Sequence, residues 1–588
     1  MRLTNVGHLR LPFGRLWGYD VRVTGGGAAQ PVSFDQELHV GAGDRPGSWM
    51  ALSFRPGRLV DRDVIAAAWL AVIDRHDTLR TVFSPGEHGP ELHEVTVEAG
   101  GWVEHPIAAG QAVNDALRDV LDIACSPYAE PSHRLCILET AAGPTVVVAA
   151  DHSHVDMWSM LVIARDLLAA IGQVEAGRTP MLPPAAAFVD HTRALNAWPT
   201  APDDVHRRWR EVLTAGGGAL PTFPLSLGPG GSQPERVEVR DVLDVDDTQA
   251  FTAQARADDV STLSLAVSAM TAVTRELADA PLRAVFPVHS RHETAWHDSV
   301  GWFITNSVLE SDRPSPEAAA AAVREAVRLG SWPLRAILAD WGGELGESPG
   351  MFAISWLDLR RLPVRIDARS IAAQYVGATI RTDGVMVWFI LNDGGMHVRC
   401  RYPDTLEARA NVGGWLDALV HLMRQIASSS VGRTVTVDDR SYRITRAKRT
   451  DVPAIVRLLA DDEVTPDRET ADLARYEAAY DDVLRHDSYY LAVVRDAGEN
   501  VVATMQLNVI GGLKLNGTVR LEIEAFRVAA SERSRGLGSA MLDWAHEHGR
   551  AHGASLVQVT ADEIRNRARS FYTGRGYRAD HVGLTRSL

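Results

Sequence analysis

Between residues 64 and 75 apolar side chains recur at helical spacing. Val64, Ala68 and Val72 share one face with Ile65, Trp69 and Ile73 alongside, behind acidic Asp61 and Asp63. The run Thr145-Val-Val-Val-Ala-Ala150 reads as a buried strand, and 157–171 as a helix. Further on, 385–391 and 397–402 flank Asn392-Asp-Gly-Gly, a strong hairpin signal, and 415–426 reads as an amphipathic helix. From 441 the order is strand, helices, three strands, helix, strand, helix, strand. Three stretches rich in glycine, proline or serine interrupt these patterns: 196–236, Ser428-Ser-Ser-Val-Gly-Arg433 and Gly25-Gly-Gly27. Both halves are of the α/β or α+β class.

Composition narrows the function. At 588 residues the chain has room for about four units of ~150 residues. Residues 441–588 hold 21 acidic and 21 basic side chains, so the net charge of −15 belongs wholly to residues 1–440. That asymmetry suggests a boundary near 440, and the acidity argues against nucleic-acid binding. Cys125, Cys136 and Cys400 make neither a disulfide framework nor a zinc pattern, so no metal is expected. No apolar run approaches the ~18 residues of a membrane span, and the start lacks the apolar core of a leader. A soluble, cytoplasmic protein with no membrane partner is expected.

The first chemistry-bearing stretch is Asp151-His-Ser-His-Val-Asp-Met-Trp-Ser159, a loop between the strand and helix. A histidine at a strand end suits a general base, because its ordinary pKa near 6.5 lets it accept a proton at neutral pH. From these nine residues alone, His152 also fits a satisfied loop histidine and Asp156 a helix N-cap.

This loop resembles the His-His-x-x-x-Asp-Gly motif of the condensation-domain superfamily, which includes nonribosomal peptide condensation domains and polyketide-associated acyltransferases. Other similarities follow in order: Pro31-Val-Ser-Phe-Asp-Gln36, Arg75-His-Asp-Thr-Leu-Arg-Thr-Val-Phe83, Val288-His-Ser-Arg291 with Val300-Gly-Trp-Phe-Ile-Thr-Asn306, and Tyr402-Pro-Asp-Thr-Leu406. The resemblance implies two chloramphenicol-acetyltransferase-like lobes in a V around a tunnel, within which His152 deprotonates or orients an amine or alcohol acceptor. It implies a structural Asp156 paired with Arg291. Asp151 stands where the motif has its first histidine, and Met157 where it has glycine. The loop also fits Asp-x-x-x-x-Asp-x-x-Ser (Asp151, Asp156, Ser159), the signature of heterocyclisation domains, without a counterpart of their later motif.

The second stretch, Arg533-Ser-Arg-Gly-Leu-Gly538, is a glycine-rich turn opening a helix, which favours a bound phosphate. It follows Leu521-Glu-Ile-Glu-Ala-Phe-Arg-Val528 and precedes Asn566-Arg-Ala-Arg-Ser-Phe-Tyr572. Together these resemble the GCN5-related N-acetyltransferase (GNAT) family, whose fold has a central mixed, mostly antiparallel sheet. The resemblance implies acetyl-CoA, or another acyl-CoA, pairing near Phe526 and Val528. Its pyrophosphate would lie against Arg533, Ser534, Arg535, Gly536, Leu537, Gly538 and Ser539, with Asn566 nearby. Tyr572 would protonate the leaving thiolate, and Glu524 or Glu522 would take the amine proton. Tyr572 also fits a core aromatic, and the alternating glutamates a solvated strand face.

The expected organisation is a condensation-like acyltransferase at 1–427, with lobes at about 1–195 and 215–427, a linker at 428–440, and a GNAT domain at 441–588. Its donors are expected on the phosphopantetheine of a carrier protein acting in trans, as in an assembly line making specialised metabolites. The competing class is a non-catalytic condensation fold that recruits partners for an active acetyltransferase.

Overall fold

The apolar run at 145–150 becomes the strand Thr145–Asp151, buried along its whole length, in the computed structural model of the chain, which describes residues 2–339, 349–429, 433–461, 472–486, 488–561, 565–580 and 586. The chain divides into two units. The first takes residues up to Arg240 with Leu263–Asn392 and His397–Ala418; the second takes Asp241–Thr262, Asp393–Met396 and the chain from Leu419 onward.

The first unit holds a seven-stranded sheet in the order Arg2–Asn5, Gln374–Gly377, Trp49–Phe54, Thr145–Asp151, His133–Glu139, Arg15–Thr24, Thr96–His105. All neighbours are antiparallel except the first pair, which is parallel. Helices Arg62–Arg75 and Met157–Glu175 cover one face, burying Ile65, Trp69, Val72, Leu161, Leu167 and Ile171 in one cluster. By length and composition Met157–Glu175 could cross a membrane, yet here it is a core helix. A second sheet runs Ile304–Ser311, Leu282–His289, Phe352–Asp358, Val385–Asn392, Gly395–Pro403, Gln233–Leu243, Arg381–Thr382 and mixes parallel and antiparallel pairs.

Three boundaries differ from expectation. Gln374–Gly377 lies in the first sheet, so the lobes are not the separate blocks 1–195 and 215–427. Its alternation explains this: Tyr375 joins the core cluster on one face, and Val376 the cluster on the other. The stretch 196–236 is more than a connector. Its helix Asp203–Ala215 buries Val205, Trp209, Val212 and Leu213 at amphipathic spacing. The expected linker 428–440 contains a strand, Arg433–Val437, paired antiparallel with Arg440–Arg446. Between them Asp438 and Asp439 have φ of +47° and +61°, the twist-matched two-residue hairpin turn, which short acidic side chains tolerate.

That hairpin opens the second unit's six-stranded sheet, which continues through Tyr489–Arg495, Val501–Ile510 and Arg520–Val528, all antiparallel. The last strand, Leu556–Val559, pairs parallel with Arg520–Val528 from Arg520 to Ile523. Helix Leu537–Ala551 packs Leu537, Met541 and Leu542 onto Met505, Leu507 and Leu521. Beyond helix Asn566–Thr573 the described residues end at Asp580 apart from Arg586, so the last strand of the expected order lies outside them.

Candidate functional site

In the first unit the strand Thr145–Asp151 delivers its loop in a pinned state. The Asp151 N–H donates to the Ser132 carbonyl (2.8 Å), His152 N–H to Ser48 (3.1 Å) and His154 N–H to Asp151 (3.0 Å). The opening motif docks from the other side. Ser33 and Gln36 form a capping box at the start of helix Phe34–Gly41, and Gln36 Nε2 donates to the Ser153 carbonyl at 2.8 Å.

His152 is half-buried, and its Nδ1 takes no hydrogen bond from another residue among those described. Trp302 lies over it, ring centroids 4.1 Å apart and planes 35° from parallel. Burial holds His152 below its ordinary pKa, so it is neutral and able to accept a proton. His154 is a core residue: Nδ1 sits 2.9 Å from Ser153 Oγ and the ring meets Phe83 edge-on.

Asp156 and Arg291 meet in the interior. Arg291 Nη2 is 3.2 and 3.3 Å from the two Asp156 oxygens, and both side chains are buried. Each partner has further work. The Asp156 carboxylate accepts N–H bonds from Ser159 (2.6 Å) and Phe303 (3.1 Å). Arg291 Nη1 donates to the carbonyls of Trp296 and Ser299 at 2.6 and 2.7 Å, and its guanidinium stacks 3.8 Å over the Phe303 ring. Ser159 Oγ accepts from Arg291 Nη2 (2.7 Å) and donates to the Gly301 carbonyl (2.8 Å). Gly301 is required there, because a Cβ would fall 2.2 Å from the Phe188 ring. Asp151, Asp156 and Ser159 are therefore all committed to holding the loop. Met157 packs its side chain on the core cluster, and its carbonyl accepts from Tyr375 Oη at 2.8 Å.

One partner of this loop escapes the sequence reading. His39 Nε2 lies 3.1 Å from both Asp151 oxygens. It follows Gln36 by three residues and so shares its helix face, the only clue the sequence offers.

The second unit opens a cleft of about 2660 Å³ between the strands Arg520–Val528 and Leu556–Val559, whose pairing stops at Ile523 and Val559. On the other edge the register of Arg520–Val528 slips between Gln506 and Thr504, and Ala525 takes φ +49°. Phe526, Val528, Arg533, Ser534, Gly536, Gly538, Ser539, Asn566 and Tyr572 all line the cleft, as do Glu522 and Glu524. Arg535 is exposed at the turn. Leu537 buries its side chain in the sheet core, so only its backbone is available. Ser534 and Gly536, with φ of +62° and +94°, turn the chain into the helix N-terminus. This turn, the slipped strand and the open edge fit the pyrophosphate and pantetheine of an acyl-CoA. Burial raises Tyr572 to about 12, so its hydroxyl keeps its proton. Glu524 is exposed and accepts from Asn508 Nδ2 at 3.0 Å.

Residues 47–328 match the family described as Condensation domain, and residues 453–577 the Acetyltransferase (GNAT) family. Among curated proteins the chain is 30% identical over 295 residues, 47% of its length, to CymA of Salinispora arenicola, a probable nonribosomal peptide synthetase, and covers 4% of that protein. It is 28% identical over 280 residues, 44% of its length, to the isonitrile lipopeptide synthase of Mycobacterium tuberculosis, covering 11% of it. Of solved structures, the PapA2 acyl transferase is similar with TM-score 0.65 and 19% identity over 73% of this chain and all of that one. The first condensation domain of the calcium-dependent antibiotic synthetase gives 0.54 at 14% identity, over 68% of this chain and 97% of that one. At these identities the structural likeness establishes the fold. The chain spans a small fraction of the curated relatives it matches.

Proposed function

From a chain whose residues 47–328 match the Condensation domain family and residues 453–577 the GNAT family, we propose a bifunctional acyltransferase of nonribosomal-peptide-type biosynthesis. The first unit joins an acyl thioester, presented on the phosphopantetheine of a separate carrier protein, to an amine or alcohol. The acceptor's proton passes to His152 as its nitrogen or oxygen attacks the thioester carbonyl. The carbon–sulfur bond then breaks, and the thiolate recovers a proton. The observation that carries this reading is a His152 that burial keeps neutral, at the end of its strand on a loop whose carboxylates are already committed elsewhere. Incubating the protein with acyl-loaded carriers and candidate acceptors, read by mass spectrometry, tests it. Loss of the acyl mass from the carrier only when an acceptor is present is the expected result. A cytoplasmic location suits such partners.

A recruitment module is the second reading, and the Trp302 ring lying over His152 is the observation that favours it. Carrier capture without acyl transfer by any loaded carrier would select it.

The second unit takes an acyl-CoA, acetyl-CoA in the simplest case, and acylates an amine. When bound, that cofactor supplies an activated thioester. The turn at 533–539 would hold its pyrophosphate, Tyr572 would hold the proton for the departing thiolate at Oη, and Glu524 would receive the amine proton. Gly538→Asp is expected to abolish acetyl-CoA binding by calorimetry, because it places a carboxylate beside the phosphates. Gly538→Ala is the matched control: a Cβ there meets Phe571 and Phe526 only at ordinary contact, 3.6 and 3.7 Å, so affinity should persist. Tyr572→Phe is expected to keep acetyl-CoA affinity and lower turnover by about 10²-fold or more.

A further inference from the structure

His152 presents a gap that the proposed reaction does not fill. A histidine acting as base ordinarily has one ring nitrogen bonded so that the other faces the substrate. Here no other described residue bonds Nδ1 and the ring's one backbone partner is its own residue, so packing shares in orienting the ring. The packing surface is Trp302, and the edge of Trp302 meets His39 at 5.2 Å with planes 71° apart. His39 itself is fixed by bonds at both nitrogens. Arg45 Nη2 stands 2.9 Å from His39 Nδ1, while Arg45 Nη1 donates to the carbonyls of His39 and Gly43. A guanidinium only donates, so His39 Nδ1 must accept. Its proton therefore sits on Nε2, which faces both Asp151 oxygens at 3.1 Å.

We propose that His39 is a positioning residue for His152: it locks the carboxylate that immediately precedes the base and seats the indole that covers it. The proposal rests on His152 being the base of the first unit. In the resembling motif the position of Asp151 is a histidine, and here an imidazole reaches that carboxylate from helix Phe34–Gly41 instead. Asp151 is fully buried and also accepts from Ser153 N–H at 2.9 Å and from Ser153 Oγ. Burial alone would raise its carboxyl, but His39 and Ser153 outweigh it and bring the group down to about 2. Asp151 thus stays ionised as an anchor and does not compete with His152 for protons. His39 has no nitrogen left for substrate, so its effect on the reaction passes through the neighbouring rings.

The test uses the full chain in two readouts. In ¹H–¹⁵N spectra of histidine-labelled protein, the signal lost in His39→Gln identifies residue 39, and the Nε2–H tautomer is expected. An Nδ1–H tautomer overturns the proposal. For turnover, an acyl-N-acetylcysteamine thioester and a primary amine serve as probes. His39→Ala is expected to lower kcat by about 10- to 100-fold, the loss typical of a displaced reacting group, with KM nearly unchanged. His39→Gln, which can still donate to Asp151, should recover part of it. The exchange His39→Asp with Asp151→His should do better than either single change, which separates positioning from a general loss of structure. Unchanged kcat in His39→Ala, while His152→Ala abolishes transfer, overturns the positioning role alone. Transfer that survives His152→Ala overturns the base assignment, and this inference with it.

Discussion

Replacing His152 with alanine is expected to reduce acyl transfer by the first unit by about 10²- to 10⁴-fold, the range that one general base contributes, with the fold intact. The ring makes no Nδ1 bond to another residue, and the backbone bond from His152 N–H to Ser48 survives the change. Circular dichroism should match the parent, and acetyl-CoA binding in the second unit should be untouched. The pH dependence gives an independent check. Burial depresses the His152 pKa below its ordinary 6.5, so the base form persists to lower pH than free imidazole allows. The acidic limb of the kcat profile should therefore fall below pH 6.5 and vanish in His152→Ala. A parent-like rate in the variant removes His152 from the chemistry.

Much of this site was legible because its pieces are local. The strand at 145–150, the loop and the helix from Met157 follow one another, and their pattern of apolar and polar positions dictates each in turn. The Asp156–Arg291 pairing came from resemblance rather than spacing, since no local pattern joins residues 135 positions apart. His39 and Trp302 escaped for the same reason. Their roles depend on a helix and a strand connection meeting over one ring, and neither position has a chemical signature of its own. The glycine-rich turn was readable, but Leu537 turned inward because the first residue of a helix crossing a sheet has to bury whatever side chain faces it. Of the hairpin at 433–446, the first strand Arg433–Val437 falls within the expected linker 428–440, because Ser428-Ser-Ser and Gly432 precede it. The alternation in Thr434-Val-Thr-Val437, with Val435 and Val437 packed on the core, was the better signal.

The largest expected stability loss belongs to the Asp156–Arg291 pair. Asp156→Ala leaves a guanidinium buried opposite an empty position, and also strips the acceptor from the N–H groups of Ser159 and Phe303. Removing one partner of a buried pair costs about 3–5 kcal/mol, so thermal unfolding should begin many degrees earlier. Asp156→Asn tests the geometry further. Both carboxylate oxygens accept, Oδ1 from Ser159 N–H and Oδ2 from Phe303 N–H, while Arg291 Nη2 reaches both. An amide must turn an NH₂ toward one of those donors, so asparagine should also destabilise despite its matching shape. Arg291→Ala leaves the carbonyls of Trp296 and Ser299 without their donor and uncovers the Phe303 ring. The double alanine variant decides between charge and packing. If the uncompensated charge dominates, removing both groups costs less than the two single losses added together. If the hydrogen bonds and the stacked ring dominate, the losses add. A parent-like melting temperature in both single variants contradicts the pair itself. The charge term should prevail, because both side chains are buried, and water cannot reach whichever charge is left behind.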